Sequence, residues 1–301
     1  WTNTVSYDFN FLPKQHRLNI LLGHEVTDSG GSKVSISASH FPSNFTKDNA
    51  FAMINQYDAE HGTSKFSSGV DIPGRILSFF GRANYTLMDR YLFTVTFRAD
   101  GSSKFSPEHR WGYFPAAAFG WRLSEESFME GTKDWLDNLK VRLSYGTVGN
   151  DGISSDLWSQ TWTSETDLRY QYILNNQYSS SYDLSTETTI TRNLGFDFGF
   201  LKNRLWGSLD LYWNTTKDLL MLTSLPGITG FTSTYDNIGQ TSNKGIEFSL
   251  SGVIYENKDW NITAGMNINF NKGKVDKLAE NVTGLYGSSW CGSSSFPGED
   301  Y

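Results

Sequence analysis

Cysteine is nearly absent from this 301-residue chain, and the lone Cys291 excludes an internal disulfide framework and a cysteine-rich zinc site. Long apolar runs are missing too, since no segment reaches the roughly 18–20 residues that a transmembrane helix needs. Basic residues are fewer than acidic ones, 25 against 32, which gives a net charge of −7. Because no basic surface is available to contact phosphates, the chain is not expected to bind nucleic acid.

Catalytic and metal-binding motifs are also missing. The sequence contains no Gly-x-Ser-x-Gly, Walker or His-Glu-x-x-His pattern. Its five histidines lack ligand spacing: His16, His24, His40, His61 and His109. Glu125 and Glu126 fall beside a predicted turn, and we interpret them as a solvated pair rather than an acid–base pair. The sequence therefore predicts neither an enzyme, a metal site nor a cofactor.

Aromatic residues, by contrast, are abundant: 21 Phe, 15 Tyr and 10 Trp make up 15% of the chain. So much apolar surface argues against disorder. Most aromatics fall where apolar and polar residues alternate with a period of two, the pattern of a strand with one apolar face. In one segment, Tyr91, Phe93, Val95 and Phe97 alternate with Arg and Thr. The alternation predicts about ten strands.

The predicted connections between these strands alternate in length. Short connections are expected at residues 12–16, 87–90, 125–137, 201–204 and 255–259. Long connections are expected at residues 28–74, 99–110, 150–187 and 219–242. Long loops at one end and short turns at the other, along an up-and-down antiparallel meander, are typical of outer-membrane barrels. A soluble sandwich would show shorter strands and no such bias.

The polar face of the strands favours the barrel further. It carries charged side chains that a wide barrel would direct into a wet lumen: Arg82, Arg98, Arg122, Arg142, Asp197, Asp210 and Glu247. The apolar face would then contact lipid, and aromatics near strand ends would form the two interfacial girdles: Tyr85, Tyr91, Trp121, Trp206, Trp213 and Trp260. Closing the sheet into a barrel also removes the unpaired edge strands that an open sheet would leave. We predict an all-β fold, a transmembrane antiparallel β-barrel.

Several segments resemble the SusC/RagA family of TonB-dependent transporters. They are residues 98–126 (RADGSSKFSPEHRWGYFPAAAFGWRLSEE), 138–150 (NLKVRLSYGTVGN), 193–201 (NLGFDFGFL), 210–220 (DLYWNTTKDLL), 237–239 (NIG) and 243–247 (NKGIE). The resemblance covers the whole chain in order. It implies a 22-stranded barrel, of which residues 1–301 are a part with about ten strands. The plug domain, the TonB box and the last barrel strands would lie outside this chain.

The resemblance also implies a function. A SusC/RagA transporter is expected to sit in the outer membrane, among its lipids, and to import oligosaccharides or oligopeptides. A SusD-like surface lipoprotein would close its extracellular mouth. The TonB complex would supply energy through parts of the protein that are not in this chain. A passive porin or adhesin barrel remains an alternative, and a soluble β-sandwich binding module is a further one.

The long connection at residues 150–187 is the candidate functional loop, because loops on a rigid scaffold carry function. It holds six aromatic residues that could contact substrate or the lipoprotein lid, or could pack a loop core: Trp158, Trp162, Tyr170, Tyr172, Tyr178 and Tyr182. Residues 28–74 form a second long loop, in which residues 48–60 are expected to include a short helix.

Overall fold

The fold is described from a computed structural model. It describes residues 1–9, 13–155, 157–159, 163–165, 173–175, 179–231, 233–278, 285–286 and 294–295. Strands make up most of this part of the chain. None of the helices within these residues is long and apolar enough to cross a membrane.

The elements follow one another with few helical interruptions. The strands are β1 (Thr2–Asp8), β2 (His16–Ser29), β3 (Ser32–Ala38), β4 (Ser64–Val70), β5 (Gly74–Leu87), β6 (Tyr91–Ser102), β7 (Trp111–Arg122), β8 (Leu136–Asn150), β9 (Thr163–Glu165), β10 (Ile173–Asn175), β11 (Glu187–Phe200), β12 (Leu205–Lys217), β13 (Leu220–Ser224), β14 (Ser233–Asn237), β15 (Gln240–Glu256), β16 (Asn261–Lys277), β17 (Leu285–Tyr286) and β18 (Ser294–Ser295). The helices are α1 (Lys47–Ala52) and the 3-10 helices Leu123–Glu125, Ser127–Thr132 and Gly227–Thr229.

Ten of the strands form one sheet, in the order β1-β2-β5-β6-β7-β8-β11-β12-β15-β16. Because this order follows the chain, the sheet is a meander without crossovers. The other strands pair as β3–β4, β9–β10, β13–β14 and β17–β18. These short hairpins lie outside the main sheet. Three of them, β3–β4, β9–β10 and β13–β14, fall within the predicted long connections, because few alternating apolar residues mark them.

The two faces of the sheet separate by chemistry, as the period of two requires. On the apolar face, Tyr91 lies opposite Trp121 and Phe93 opposite Phe119, whose rings are 4.9 Å apart. On the polar face, Asp197 lies opposite Lys140. The aromatic pairs on the apolar face stabilise neighbouring strands by about 0.2–1 kcal/mol each.

Trp206 lies on the polar face, which corrects its predicted place in the aromatic girdle. It is opposite Gly199 and Ser251, and it is separated from Asp210 by an even number of residues. Residues at even separations share a face. The prediction relied on the position of Trp206 near a strand end, whereas its place in the alternation decides the face.

Two of the short connections, between β5 and β6 and between β11 and β12, are tight turns, whereas the connection between β7 and β8 contains two 3-10 helices. Met88 and Asp89 have positive φ values of 52° and 58°, and Arg17 forms an ion pair with Asp89. The turn at residues 201–204 also uses left-handed backbone conformations. At the opposite end the strands run further than predicted: β6 continues through Ser102, which lies opposite Ile76, although residues 99–110 were expected to be loop. The pairing of β5 with β6 therefore extends beyond the residues whose apolar and polar side chains alternate in the sequence.

Residues Asp28–Arg75 form a compact unit separate from the rest of the chain. The unit contains the hairpin β3–β4 and α1. Thr46 caps α1, because its Oγ1 accepts a hydrogen bond from the Asn49 N–H at 3.2 Å. The helix ends at Ala52 and does not extend over residues 48–60, since tight turns follow it.

Candidate functional site

A charged network crosses three strands on the polar face of the sheet. Arg142 on β8 donates from Nε to both carboxylate oxygens of Asp197 on β11, at 3.0 Å each. Its Nη2 donates to Asp210 Oδ2 on β12, also at 3.0 Å. One guanidinium thus neutralises part of the charge of two carboxylates, and the planar fork of arginine suits this geometry. The group carries a net charge of about −1 toward this face.

Gly195 makes the network possible. It lies between Arg142 and Asp210 in the register of β8, β11 and β12. A Cβ at this position would lie 2.7 Å from Arg142 Cζ and 2.6 Å from Asp210 Oδ1. Only glycine therefore leaves room for the guanidinium to cross β11 and reach the third strand.

A second charged cluster surrounds Arg98 on β6. Its Nε donates to Asp100 Oδ1 at 2.7 Å, and its Nη2 donates to Ser78 Oγ at 2.9 Å. Nη2 also donates to Glu25 Oε2 at 3.3 Å. The guanidinium carbon lies 5.5 Å from the centre of the Phe80 ring, a cation–π distance. Arg98 therefore joins β2, β5 and β6 on the polar face.

A cavity of about 150 Å³ opens beside this cluster, where β6 meets the loops at the long-connection end. Its lining includes Arg98, Asp100, Phe105, Arg110 and Asp151. Arg110 Nε has no hydrogen-bond partner within the described part of the chain. The cavity therefore presents at least one unused cationic donor.

An apolar core holds three long connections together at this end. Phe105 and Leu184 are each only 1% exposed, and both pack with Ile153. Partly buried side chains from β13, β14 and the β8–β11 connection complete it: Leu157, Leu220 and Tyr235. Because buried aromatic and aliphatic groups resist exposure to water, the core fixes the loops relative to one another.

The predicted aromatic loop is described only in part. The Trp158 ring lies 6.3 Å from the Tyr182 ring in an edge-on arrangement, and His109 contacts Tyr182 from the β6–β7 connection at 6.4 Å. Tyr182 is 45% exposed. The other four aromatic candidates lie outside the described residues: Trp162, Tyr170, Tyr172 and Tyr178.

The remaining predicted polar-face residues do not join either network. Arg82, Arg122 and Glu247 are exposed, and each shares the polar face by the register of its strand. Glu247 lies opposite Asp210, next to the Arg142 network. Of the seven charged residues predicted for this face, the structure therefore brings Arg142, Asp197 and Asp210 together and places Arg98 in a separate cluster.

Glu126 is buried, and its predicted place in a solvated pair with Glu125 is therefore wrong. Its carboxylate accepts hydrogen bonds from Tyr91 Oη at 2.6 Å, Trp121 Nε1 at 3.0 Å and Arg90 Nη1 at 3.2 Å. The bonds from Tyr91 and Trp121, followed by the charge of Arg90, lower the pKa of Glu126 below its ordinary value of 4.5, although burial opposes them. The environment of Glu126 is therefore set by these three partners, which the fold brings together, and not by its sequence neighbour Glu125.

Comparisons with known proteins agree with the strand architecture. The family model described as TonB dependent receptor-like, beta-barrel matches residues 1–290. The TonB-dependent receptor SusC of Bacteroides thetaiotaomicron is 38% identical over 211 residues, which cover 67% of this chain and 21% of that protein. A TonB-dependent receptor of Formosa agariphila is 36% identical over 224 residues, covering 71% of this chain and 22% of the relative.

A solved structure gives the same picture. The RagAB peptide importer in its open-open state superposes with a TM-score of 0.81 at 30% sequence identity, over 99% of this chain and 32% of that one. The chain spans about a fifth of the length of the curated relatives that it matches.

Proposed function

The chain belongs to the TonB-dependent receptor-like β-barrel family and forms part of an outer-membrane barrel, and from this premise we propose that it takes part in active import of oligosaccharides or oligopeptides. The similarity to SusC, together with the match to the RagAB peptide importer over nearly the whole chain, carries this proposal. Transport, with no catalytic step, is the proposed activity.

In this proposal the polar face lines the hydrated interior of the barrel. The guanidinium and carboxylate groups around Arg142 and Arg98 supply donors and acceptors for a hydrophilic substrate that passes along the wall. The apolar face contacts lipid, because side chains that cannot hydrogen-bond are stable there. Such a wall suits substrates that carry many polar groups, as sugars and peptides both do.

The proposed partners act at opposite ends of the barrel. A SusD-like lipoprotein closes the end with the long connections, where Tyr182 and Trp158 form part of an aromatic surface. Aromatic residues dominate protein contacts and also stack on sugars, so this surface serves either the lipoprotein or the substrate. The TonB complex acts from the periplasm through other parts of the full-length protein.

Energy dependence tests the proposed activity directly. Uptake of labelled oligopeptides and oligosaccharides would be measured in cells that express the full-length protein, with and without a functional TonB gene. Active import requires that uptake of one substrate class disappears when TonB is lost. Uptake that continues unchanged without TonB would refute the proposal and favour a passive barrel.

The aromatic surface is tested by a double variant, Trp158→Ala with Trp162→Ala, and by its control Trp260→Ala, an exposed aromatic at the opposite end. If the surface binds the lipoprotein, co-purification of the lipoprotein falls by tenfold or more, as expected for the loss of about 1.4 kcal/mol or more. If it binds substrate, uptake falls while co-purification is retained. The control should leave both unchanged.

A further inference from the structure

Residues 123–135, which join β7 to β8, form the longest connection at the short-turn end of the sheet. The other connections at this end span residues 9–15, 88–90, 201–204 and 257–260. A hairpin of neighbouring strands needs only a few residues. The extra length therefore needs a reason other than joining the two strands.

The first half of this β7–β8 connection is fixed against the apolar face. The buried Glu126 carboxylate accepts hydrogen bonds from Tyr91 and Trp121, whose rings stack 6.3 Å apart at the end of β6 and β7. Both aromatic residues belong to the apolar face by register. The connection thus turns toward the outer, lipid-contacting side of the sheet and not toward the polar side.

The second half is fixed in the same way two strands further along. The Trp135 ring stacks on Phe200 with centroids 5.9 Å apart and planes only 5° from parallel. The Leu201 N–H donates to the Trp135 carbonyl at 3.0 Å, and the Asn203 N–H donates to Asp137 Oδ2 at 2.9 Å. Phe200 shares its face with Phe198 in the regular pairing of β11 with β12, so this contact also lies on the apolar side.

The connection nevertheless exposes large apolar side chains. Phe128 is 66% exposed and Trp135 is 51% exposed. Trp135 adjoins the aromatic end of the lipid-contacting face through Phe200, and Phe128 follows the anchored Glu126 by two residues. Trp and Tyr prefer the boundary between headgroups and acyl chains. We propose that the β7–β8 connection is an interfacial anchor that inserts Phe128 and Trp135 into the periplasmic leaflet of the outer membrane.

The charges of the connection specify the lipid. Residues 123–135 contain four acidic side chains and one basic side chain, a net charge of −3. Glu126 is satisfied internally, whereas Glu125, Glu130 and Asp134 are exposed with Lys133. Exposed carboxylates repel anionic headgroups and accept hydrogen bonds from ammonium groups. The anchor therefore fits a zwitterionic lipid with an ethanolamine headgroup.

Spin labelling tests the proposal. The full-length protein, with Cys291 and any other native cysteine replaced by serine, would carry a nitroxide at Phe128→Cys or, as the matched control, at Glu130→Cys in the same 3-10 helix. Both positions are exposed, so neither label disturbs packing. In vesicles of phosphatidylethanolamine, the label at 128 should collide several-fold more often with oxygen than with a polar nickel chelate, and the label at 130 should show the reverse.

Two results would overturn the anchor. If the labels at 128 and 130 collide with oxygen and with the nickel chelate in the same proportions, Phe128 lies in water. Protection of the label at 128 from both reagents would show that protein, and not lipid, covers it. Because the purified protein is reconstituted without partners, a profile dominated by oxygen at 128 alone can come only from the bilayer.

Discussion

With the apolar face of the sheet toward lipid, strand geometry puts Val95 near the middle of the membrane, and replacing it with arginine should destabilise the barrel. Its face of β6 is bounded by Tyr91, opposite Trp121, and by Gly101, opposite Trp111. Ten residue steps of about 3.3 Å give about 33 Å along the strand. A tilt of about 40° reduces this to a depth of about 25 Å, the height of the apolar band of such barrels.

The same geometry gives the depth of Val95, which sets the free-energy cost of an arginine at this position. Val95 is four steps from Tyr91, hence about 10 Å deep and only about 2–3 Å from the midplane. Its side chain is 57% exposed on the apolar face, so an arginine there would meet lipid rather than protein. We expect Val95→Arg to lower the free energy of unfolding by about 2–4 kcal/mol.

The measurement is a urea titration of the full-length barrel folded in phospholipid vesicles. Thr94→Arg is the matched control, since Thr94 is the preceding residue and lies on the polar face. Its cost is limited to the lost hydrogen bond from Thr94 Oγ1 to Asn84 Oδ1, about 0.5–1.5 kcal/mol. Should Val95→Arg cost no more than Thr94→Arg, the assignment of the two faces would be wrong.

Three further outcomes are expected. Phe105→Ala should open the loop core at a cost of about 3–5 kcal/mol, which would appear as faster amide exchange at Ile153 and Leu184 without faster exchange in the strands. Arg142→Met should leave two carboxylates without their partner and lower barrel stability, and Arg142→Lys should restore it incompletely because lysine lacks the two-pronged geometry, both read by the same urea titration. The Glu126 contribution is fully present above the unfolded-state pKa and is lost as the pH falls through the lowered folded-state pKa, so stability should decrease more steeply below pH 4.5 in the wild type than in Glu126→Gln.

The strand architecture follows from the sequence because it depends on local alternation. Membrane strands must place apolar residues on one face, so the parity of a position such as Val95 or Arg98 determines its side of the sheet. The alternation of connection lengths follows from the same segments, except that the β7–β8 connection at residues 123–135, predicted to be short, is longer than the β6–β7 connection at residues 103–110. The wrong placement of Trp206 arose where position near a strand end was used in place of parity.

The sites that could not be predicted from the sequence depend on contacts between residues far apart in the chain. Glu126 accepts hydrogen bonds from a tyrosine 35 positions earlier, and no local pattern indicates that contact. The packing of Phe105 against Leu184 likewise joins two separate connections. The resemblance of residues 98–126 to a transporter family marked this stretch as distinctive without indicating what its side chains contact.

The shared core of the long connections restricts how these loops can be exchanged between relatives. Phe105, Ile153 and Leu184 come from the β6–β7 and β8–β11 connections, and Leu220 and Tyr235 add the connection between β12 and β15. A chimera that receives only one foreign loop would combine surfaces that were never selected to fit, leaving voids or overlaps. Diversification of the mouth should therefore proceed by joint replacement of the three loops, or by changes confined to their exposed tips, and grafts intended to alter specificity should be designed accordingly.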